Sequence, residues 1–450
     1  MQLPQFQIER VVERGQCCGC GACAGIAPAA YTMVDHVDEG LRPKRCAGGT
    51  TPVDESTARE LADVCPGHAL THDASGFAEG IDPALRDEFG PVLGVWEGGA
   101  SDQAVRHQGS SGGVITALAA FGLDSGRAKG VLHIRARRDR PLQNETVLST
   151  TADDVRSAAG SRYAPASPAD GIPLIEAADG PCVFIGKPCD VAAVKNAQRV
   201  RPDLDRNLTL TIALFCAGTP STRGTLNMLL AMGVNDPDDV AALRYRGNGW
   251  PGRTTAQLRS DRGGLRLAGE DSAADAVRSL SYAEAWGDIL TRHKQWRCKI
   301  CPDHTGEFAD IAVGDPWDVP PANDESGRSL VVARTARGAA WIGAALAAGA
   351  VDLERVPNER LRRAQPSLRT ARAAVWGRVL ALRLLGRSAP VYRGFPMFRA
   401  WCHHLTLRGK AQSVLGTIRR IARGRHRPNL EPPAEVIARL NPEPASRMAA

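Results

Sequence analysis

The sequence predicts a mixed α/β (α+β) core set between a cysteine-rich N-terminal module and a basic, helical C-terminal extension. Three observations carry that expectation. Between about residues 90 and 335, apolar runs of strand length alternate with helical stretches. Six of the twelve cysteines fall within residues 1–75. Sixteen Lys and Arg, with no Asp or Glu, lie between residues 361 and 430.

The chain has 450 residues, enough for two or three domains, and 43% hydrophobic against 23% charged residues, enough to bury a core. The divisions expected are 1–75, 90–335 and 336–450. The opening MQLPQFQIER lacks a basic segment followed by an apolar one, and no apolar run approaches the roughly 18 residues of a spanning helix. A cytoplasmic protein is the expectation. In that compartment thiols stay reduced, so a tight cysteine cluster points to metal or redox chemistry. The net charge of +7 is unevenly spread. Setting aside the sixteen basic residues and the single net negative charge of the last twenty leaves the first 360 residues at −8.

The first module rests on Cys17-x2-Cys20-x2-Cys23, followed much later by Cys65-Pro66. Three thiolates at this spacing wrap three corners of a [4Fe–4S] cubane, and a distant Cys-Pro closes it. Zinc also takes four cysteines, though usually as two separate pairs. Cys46 competes with Cys65 for the fourth place, and Cys18, off register, reads as a bystander.

In the core, "GSSGGVITALAAFGLDSG" predicts a helix through Val114–Phe121 capped by Ser110 or Ser111. "KGVLHIRA" reads as a strand. "GPCVFIGKPCDVAAVKNAQ" reads as strand, turn and helix, with Cys189 at the strand end. "LTLTIALFCAG" is a further strand reaching Cys216, and "ADIAVGDPW" another short one. Cofactors gather at such strand ends. Cys298-x2-Cys301 is either the other half of a second four-thiol site or half of a zinc site, with Cys189 and Cys216 then ordinary buried cysteines. "GSSGGV" can cradle phosphate through its N–H groups, "GSRYAPAS" adds an Arg and hydroxyls, and Lys187 can neutralise a diphosphate. No GxGxxG follows a strand, so a Rossmann dinucleotide site is not supported. "YRGNGWPG" mixes Arg and Trp among glycines, as either a ligand loop or a structural one.

After Ala336 the pattern turns helical and rich in Ala and Arg, ending in a proline-rich tail expected to be loose. "WGRVLALRLLGR" and "LRGKAQSVLGTIRRIARGRHR" are basic and amphipathic, compatible with an ordinary surface, an anionic membrane surface or an acidic protein partner. No nucleic-acid motif accompanies them, so nucleic acid is not expected as a partner. His403 and His404 beside Cys402 read as structural, because adjacent helical residues point apart.

The ordered set CxxCGAC…CP, SSGGVxTAL, GSRYAP, GKPCD, FCAG, YRGNGWPG and CKICPDHTGEFADIAVGDPW resembles the coenzyme F420 hydrogenase/dehydrogenase beta-subunit family, which includes 7-hydroxymethyl chlorophyll a reductase. The resemblance spans roughly residues 10–335. It implies an oxidoreductase with a flavin-binding core and a ferredoxin-like iron–sulfur module. Such a protein passes electrons between two [4Fe–4S] clusters, FAD and a hydride or electron-pair acceptor such as coenzyme F420. Carried over by matching positions, Cys17, Cys20, Cys23 and Cys65 bind one cluster; Cys189, Cys216, Cys298 and Cys301 bind the second. Ser110, Ser111, Gly112, Gly113, Val114, Thr116, Ser161, Arg162, Tyr163 and Lys187 lie along the FAD. The implied partners are a small-molecule substrate and a ferredoxin or hydrogenase/dehydrogenase subunit. The basic extension departs from the shorter family members and adds peripheral membrane contact as an expectation.

Overall fold

The structure is a computed structural model that describes residues 6–46, 53–72, 79–259, 277–319, 326–424 and 426–430. Its centre is an eight-stranded mixed sheet. The strand order is Val351–Val356, Gly94–Ala100, Ser329–Ala333, Ile311–Gly314, Leu208–Leu214, Cys182–Gly186, Gly130–Ala136, Asn144–Ser149. The four strands from Ile311–Gly314 to Gly130–Ala136 run parallel; the outer pairings are antiparallel.

Sequence explains this order. Parallel strands covered on both faces read as unbroken apolar runs, and Ile311–Gly314 is buried at all four positions. Edge strands alternate instead: in Val351–Val356, Val351 and Leu353 are buried while Asp352 and Glu354 face solvent. This last strand carries the sheet beyond residue 335. Along the inner strands the period of two divides the core. Leu132, Phe184 and Ala312 point to one side, and Val131, Val183 and Ile311 to the other. Truncating Phe184 to Ala would remove about 3–5 kcal/mol of packing at this centre.

The second face is covered by the helices Val114–Asp124 and Ala336–Ala347, which meet where Trp341 crosses Phe121 edge-to-face. The first face receives the helix Pro188–Gln198 and the N-terminal segment, whose Cys20 and Ala22 join the same core. That segment holds a hairpin, Tyr31–His36 with Gly40–Arg45, docked on the helix Thr222–Ala231. There the Arg223 N–H donates to Val37 O at 2.8 Å, and Thr222 Oγ1 donates to the buried Asp35 carboxylate. A separate three-stranded sheet of Val240–Arg244, Thr254–Leu258 and Val277–Leu280 flanks the core.

Among the described residues from 360 onward lie five helices, Arg360–Ala364, Pro366–Ala373, Val375–Leu384, Met397–His404 and Leu407–Ala422. They wrap back to the chain's beginning. Val391–Arg393 pairs in parallel with Ala69–Thr71, and the Asn429 N–H donates to Glu39 at 3.1 Å. Leu430 packs into the N-terminal apolar cluster with Ile8 and Tyr31. The start of the proline-rich tail is therefore packed, and the remainder from 431 lies outside the described residues. No described helix is long and apolar enough to cross a membrane.

Candidate functional site

Two groups of thiols and one large cavity occupy the carboxyl ends of the parallel strands and the adjoining N-terminal segment. In the first group, Cys17, Cys20 and Cys23 lie on the turn entering the short helix Ala22–Ile26, and Cys65 caps the helix Glu55–Val64. Gly19 and Gly21 take left-handed φ values of 69° and 91°, which bend the chain around the space between the thiols. A side chain at Gly21 would meet Ser167 O at 2.6 Å. The Gly19 N–H points at Cys17 Sγ at 3.4 Å. All four cysteines line one narrow apolar cleft with Ile8, Leu61 and Val64. Burial first, then the neighbouring Cys17, pushes the Cys65 thiol up to about 11. Cys46 is not among the cleft's lining; its thiol points at Pro28 O.

In the second group, Cys189 opens the helix after the strand Cys182–Gly186, and Cys216 follows the strand Leu208–Leu214. Cys298 and Cys301 flank the end of the helix Trp296–Lys299. Cys298 and Cys189 both act on the Cys216 thiol, and Cys189 and Cys298 on that of Cys301. The Thr219 N–H donates to Cys298 Sγ at 3.3 Å. Burial pushes the Cys301 thiol up to about 12, against the pull of the Arg297 guanidinium. Cys18 lines the first cleft beside Cys20, and Cys189 of the second group acts on its thiol.

Among the described residues, no three His, Cys, Asp or Glu side chains converge closely enough to share a single ion. Four thiolates on one zinc sit within about 4 Å of one another. A cubane holds its thiolates farther apart, one at each iron corner. Four soft donors around an apolar cleft have the chemistry of a cluster's ligand set.

The cavity has a volume of about 490 Å³. Of the residues expected along a flavin, Ser110, Ser111, Gly113, Val114, Thr116, Ser161, Arg162, Tyr163 and Lys187 line it. Gly112 does not: it faces the sheet, its N–H donating to Ser329 Oγ at 2.8 Å. The helix Val114–Asp124 is capped by Gly113 at φ 71° rather than by a serine. Both serines are otherwise engaged. Ser110 Oγ accepts from the Ser161 N–H at 2.6 Å, joining the two loops, and Ser111 Oγ pairs with Ser329. The Arg162 guanidinium is turned onto Pro141 O, Leu243 O and Asn144 Oδ1, so it braces the loop rather than presenting its charge. Lys187 Nζ donates to Asp190 at 2.7 Å, and that carboxylate keeps it charged despite burial.

Sequence reasoning missed the cavity's other end. Arg246 donates two hydrogen bonds to Asp315, at 3.1 and 2.8 Å, and Trp250 Nε1 adds a third at 2.8 Å. Tyr282 and Trp317 stack 5.2 Å apart, with the Arg246 guanidinium over both rings. The signals were the YRGNGWPG and GDPW stretches, whose pairing depends on tertiary contact. Gln365 and Leu368, from the C-terminal extension, complete the wall, and Cys216 reaches it from the second thiol group.

Thiol groups at strand ends beside one deep cavity are the equipment of a redox subunit. Comparison with known proteins gives the lineage. Two family models for the beta subunit of coenzyme F420 hydrogenase/dehydrogenase match, the N-terminal one over residues 95–172 and the C-terminal one over residues 181–359. The chain belongs to the coenzyme F420 hydrogenase/dehydrogenase beta-subunit family, a family of oxidoreductase subunits. It is 33% identical over 222 residues to the beta subunit of F420-dependent formate dehydrogenase 1 of Methanococcus maripaludis, a match covering 49% of this chain and about half (51%) of that relative. It is 24% identical over 324 residues to one of the subunits of the F(420)H(2) dehydrogenase of Methanosarcina mazei, covering 69% of this chain and 80% of the other. A chain of the F420-reducing [NiFe] hydrogenase complex from Methanosarcina barkeri superposes with a TM-score of 0.51 at 21% identity. That match covers 70% of this chain and 99% of the other and shows a shared fold.

Proposed function

We propose that the chain is an iron–sulfur flavoprotein oxidoreductase that passes electrons between two [4Fe–4S] clusters, FAD and an F420-like deazaflavin or a ferredoxin-linked organic substrate. The observation that carries this reading is the continuity of the cavity: the loops at Ser110 and Ser161, with Lys187, share one space with Cys216. Cys17, Cys20, Cys23 and Cys65 would hold one cluster, and Cys189, Cys216, Cys298 and Cys301 the other. A flavin joins one-electron carriers to two-electron chemistry. The chain's own part is positional. The N–H groups at the start of the helix Val114–Asp124 would face a diphosphate, with the Lys187–Asp190 ion pair on the same cavity wall. The stacked Tyr282 and Trp317 offer an aromatic face to a planar conjugated ring. The buried Arg246–Asp315 ion pair fixes that end of the cavity.

A second reading, an electron-transfer subunit without its own substrate, is favoured by the relatives' being subunits of F420-linked complexes. We also propose a cytoplasmic location, with the basic extension docking either a redox partner or an anionic membrane surface. Anaerobically reconstituted full-length protein should carry flavin and about eight irons, the sum of two cubanes. It should oxidise reduced F420 with a dye acceptor. Loaded protein inert toward reduced F420, NAD(P)H and reduced ferredoxin would leave the electron-transfer reading in its place. Protein carrying only zinc would overturn both.

A further inference from the structure

Arg297 precedes Cys298 in sequence and is one of the largest fully buried side chains, at 2% exposure. Its Nη2 donates to Pro66 O at 3.1 Å, so it ties the Cys65-Pro66 turn of the first thiol group to the Cys298 turn of the second. The guanidinium lies 5.7 Å over the Tyr392 ring. Its Nε and Nη1 have no hydrogen-bond partner among the described residues. Among the described residues no carboxylate pairs with it. The groups ranged around it are Tyr392 and the thiols Cys301, Cys18 and Cys189, and Cys65 of the other group lies within its electrostatic reach.

A permanent cation is strongly destabilising in such a place unless anionic groups surround it. Arginine cannot escape by losing its proton. A structural brace explains one of its nitrogens, the one on Pro66, and leaves two unexplained. A cubane held by four thiolates is a net anion, and Arg297 stands between two sets of four.

We propose that Arg297 is the shared counter-charge of both iron–sulfur sites, a positioning residue that raises the reduction potential of each cluster at once. The inference rests on the proposed function, since it requires two clusters. A fixed cation stabilises the reduced, more negative state of a nearby cluster, as hydrogen bonds and local charge generally tune such centres. Because the same side chain faces both groups, one substitution should move two potentials.

The test is a potentiometric titration of the reconstituted full-length protein followed by electron paramagnetic resonance, on wild type, Arg297→Gln and Arg297→Lys, with iron and flavin measured per chain. In Arg297→Gln both midpoint potentials should fall, with flavin content unchanged, and Arg297→Lys should recover most of the shift. If the glutamine variant loses iron, retention of iron by the lysine variant supports the proposal, and loss from both overturns it. It is also overturned if only one midpoint moves, if neither moves, or if lysine behaves like glutamine. Wild-type protein that takes up no iron would remove the proposed function along with it; loaded wild type with unmoved potentials in the variants removes this inference alone.

Discussion

The thiols are the residues on which the reading turns. Cys20 is buried in the first cleft and Cys189 opens the second site. On the proposed reading Cys20→Ser should therefore remove about half the iron and leave flavin bound, one of two cubanes being lost. Metal analysis with the flavin absorption spectrum checks this, and loss of all flavin would contradict separate sites. A second prediction concerns the docking of the hairpin. Burial pushes the Asp35 carboxyl up to about 6, despite the Thr222 hydroxyl and Arg42. A carboxyl raised above its unfolded value of 3.8 favours the protonated, folded form, so its contribution is full below pH 4 and lost as pH rises through 6. The stability of wild type relative to Asp35→Asn should fall by up to about 1.4 kcal/mol per pH unit across that window. Denaturant unfolding at pH 4.5 and 6.5 measures it, and parallel curves would refute it. At this scale the sequence was uneven. The gathering of Cys17, Cys20 and Cys23 around one cleft was legible because their spacing is local. What Arg162 and Arg297 touch was not, because their partners come from turns distant in sequence.

Among elements, the inner strands were the most legible, their continuous apolar runs being what a doubly covered sheet requires. The helix start at Gly113 was misread as a serine cap, because the serines on offer are engaged with Ser161 and Ser329 from distant loops. The contact of the helices Val375–Leu384 and Leu407–Ala422 shows the same dependence on tertiary structure. A Cβ at Gly377 would fall 2.1 Å from Ser413 Oγ and 2.8 Å from Trp401 Nε1. Those two atoms are already hydrogen-bonded to each other. Gly377→Ala gains up to about 1 kcal/mol in helix propensity but incurs about 1–3 kcal/mol of overpacking. A lowered thermal midpoint is the expected outcome; an unchanged or raised one would show that the helices separate freely. The same extension is anchored deeper by Arg372, which donates to Pro302 O at 2.8 Å and pairs with the buried Glu307.

Over the whole molecule, charge is segregated, the extension being basic and the first 360 residues acidic. The extension exposes Leu407 at 83% and Phe398 at 56%, with Trp401 stacked on Phe398 and Trp376 tilted against it. Basic residues surround them, with Lys410 over the Trp401 ring. Aromatic and leucine side chains amid cations suit the interface of an anionic bilayer. The protein should co-sediment with vesicles containing acidic phospholipid, lose binding as salt is raised, and bind less as a Phe398→Ser, Leu407→Ser double variant. Equal recovery with neutral vesicles would direct the surface to a protein partner instead.

The pairing of Ala69–Thr71 with Val391–Arg393 has a consequence for biosynthesis. The strand just after Cys65 finds its partner only when more than 300 further residues have left the ribosome. Domains usually fold from the N-terminus onward during synthesis. Here the strand Ala69–Thr71 must wait, its edge unpaired, until the extension arrives. Chains released before residue 391 are then the ones that cellular quality control should find unclosed.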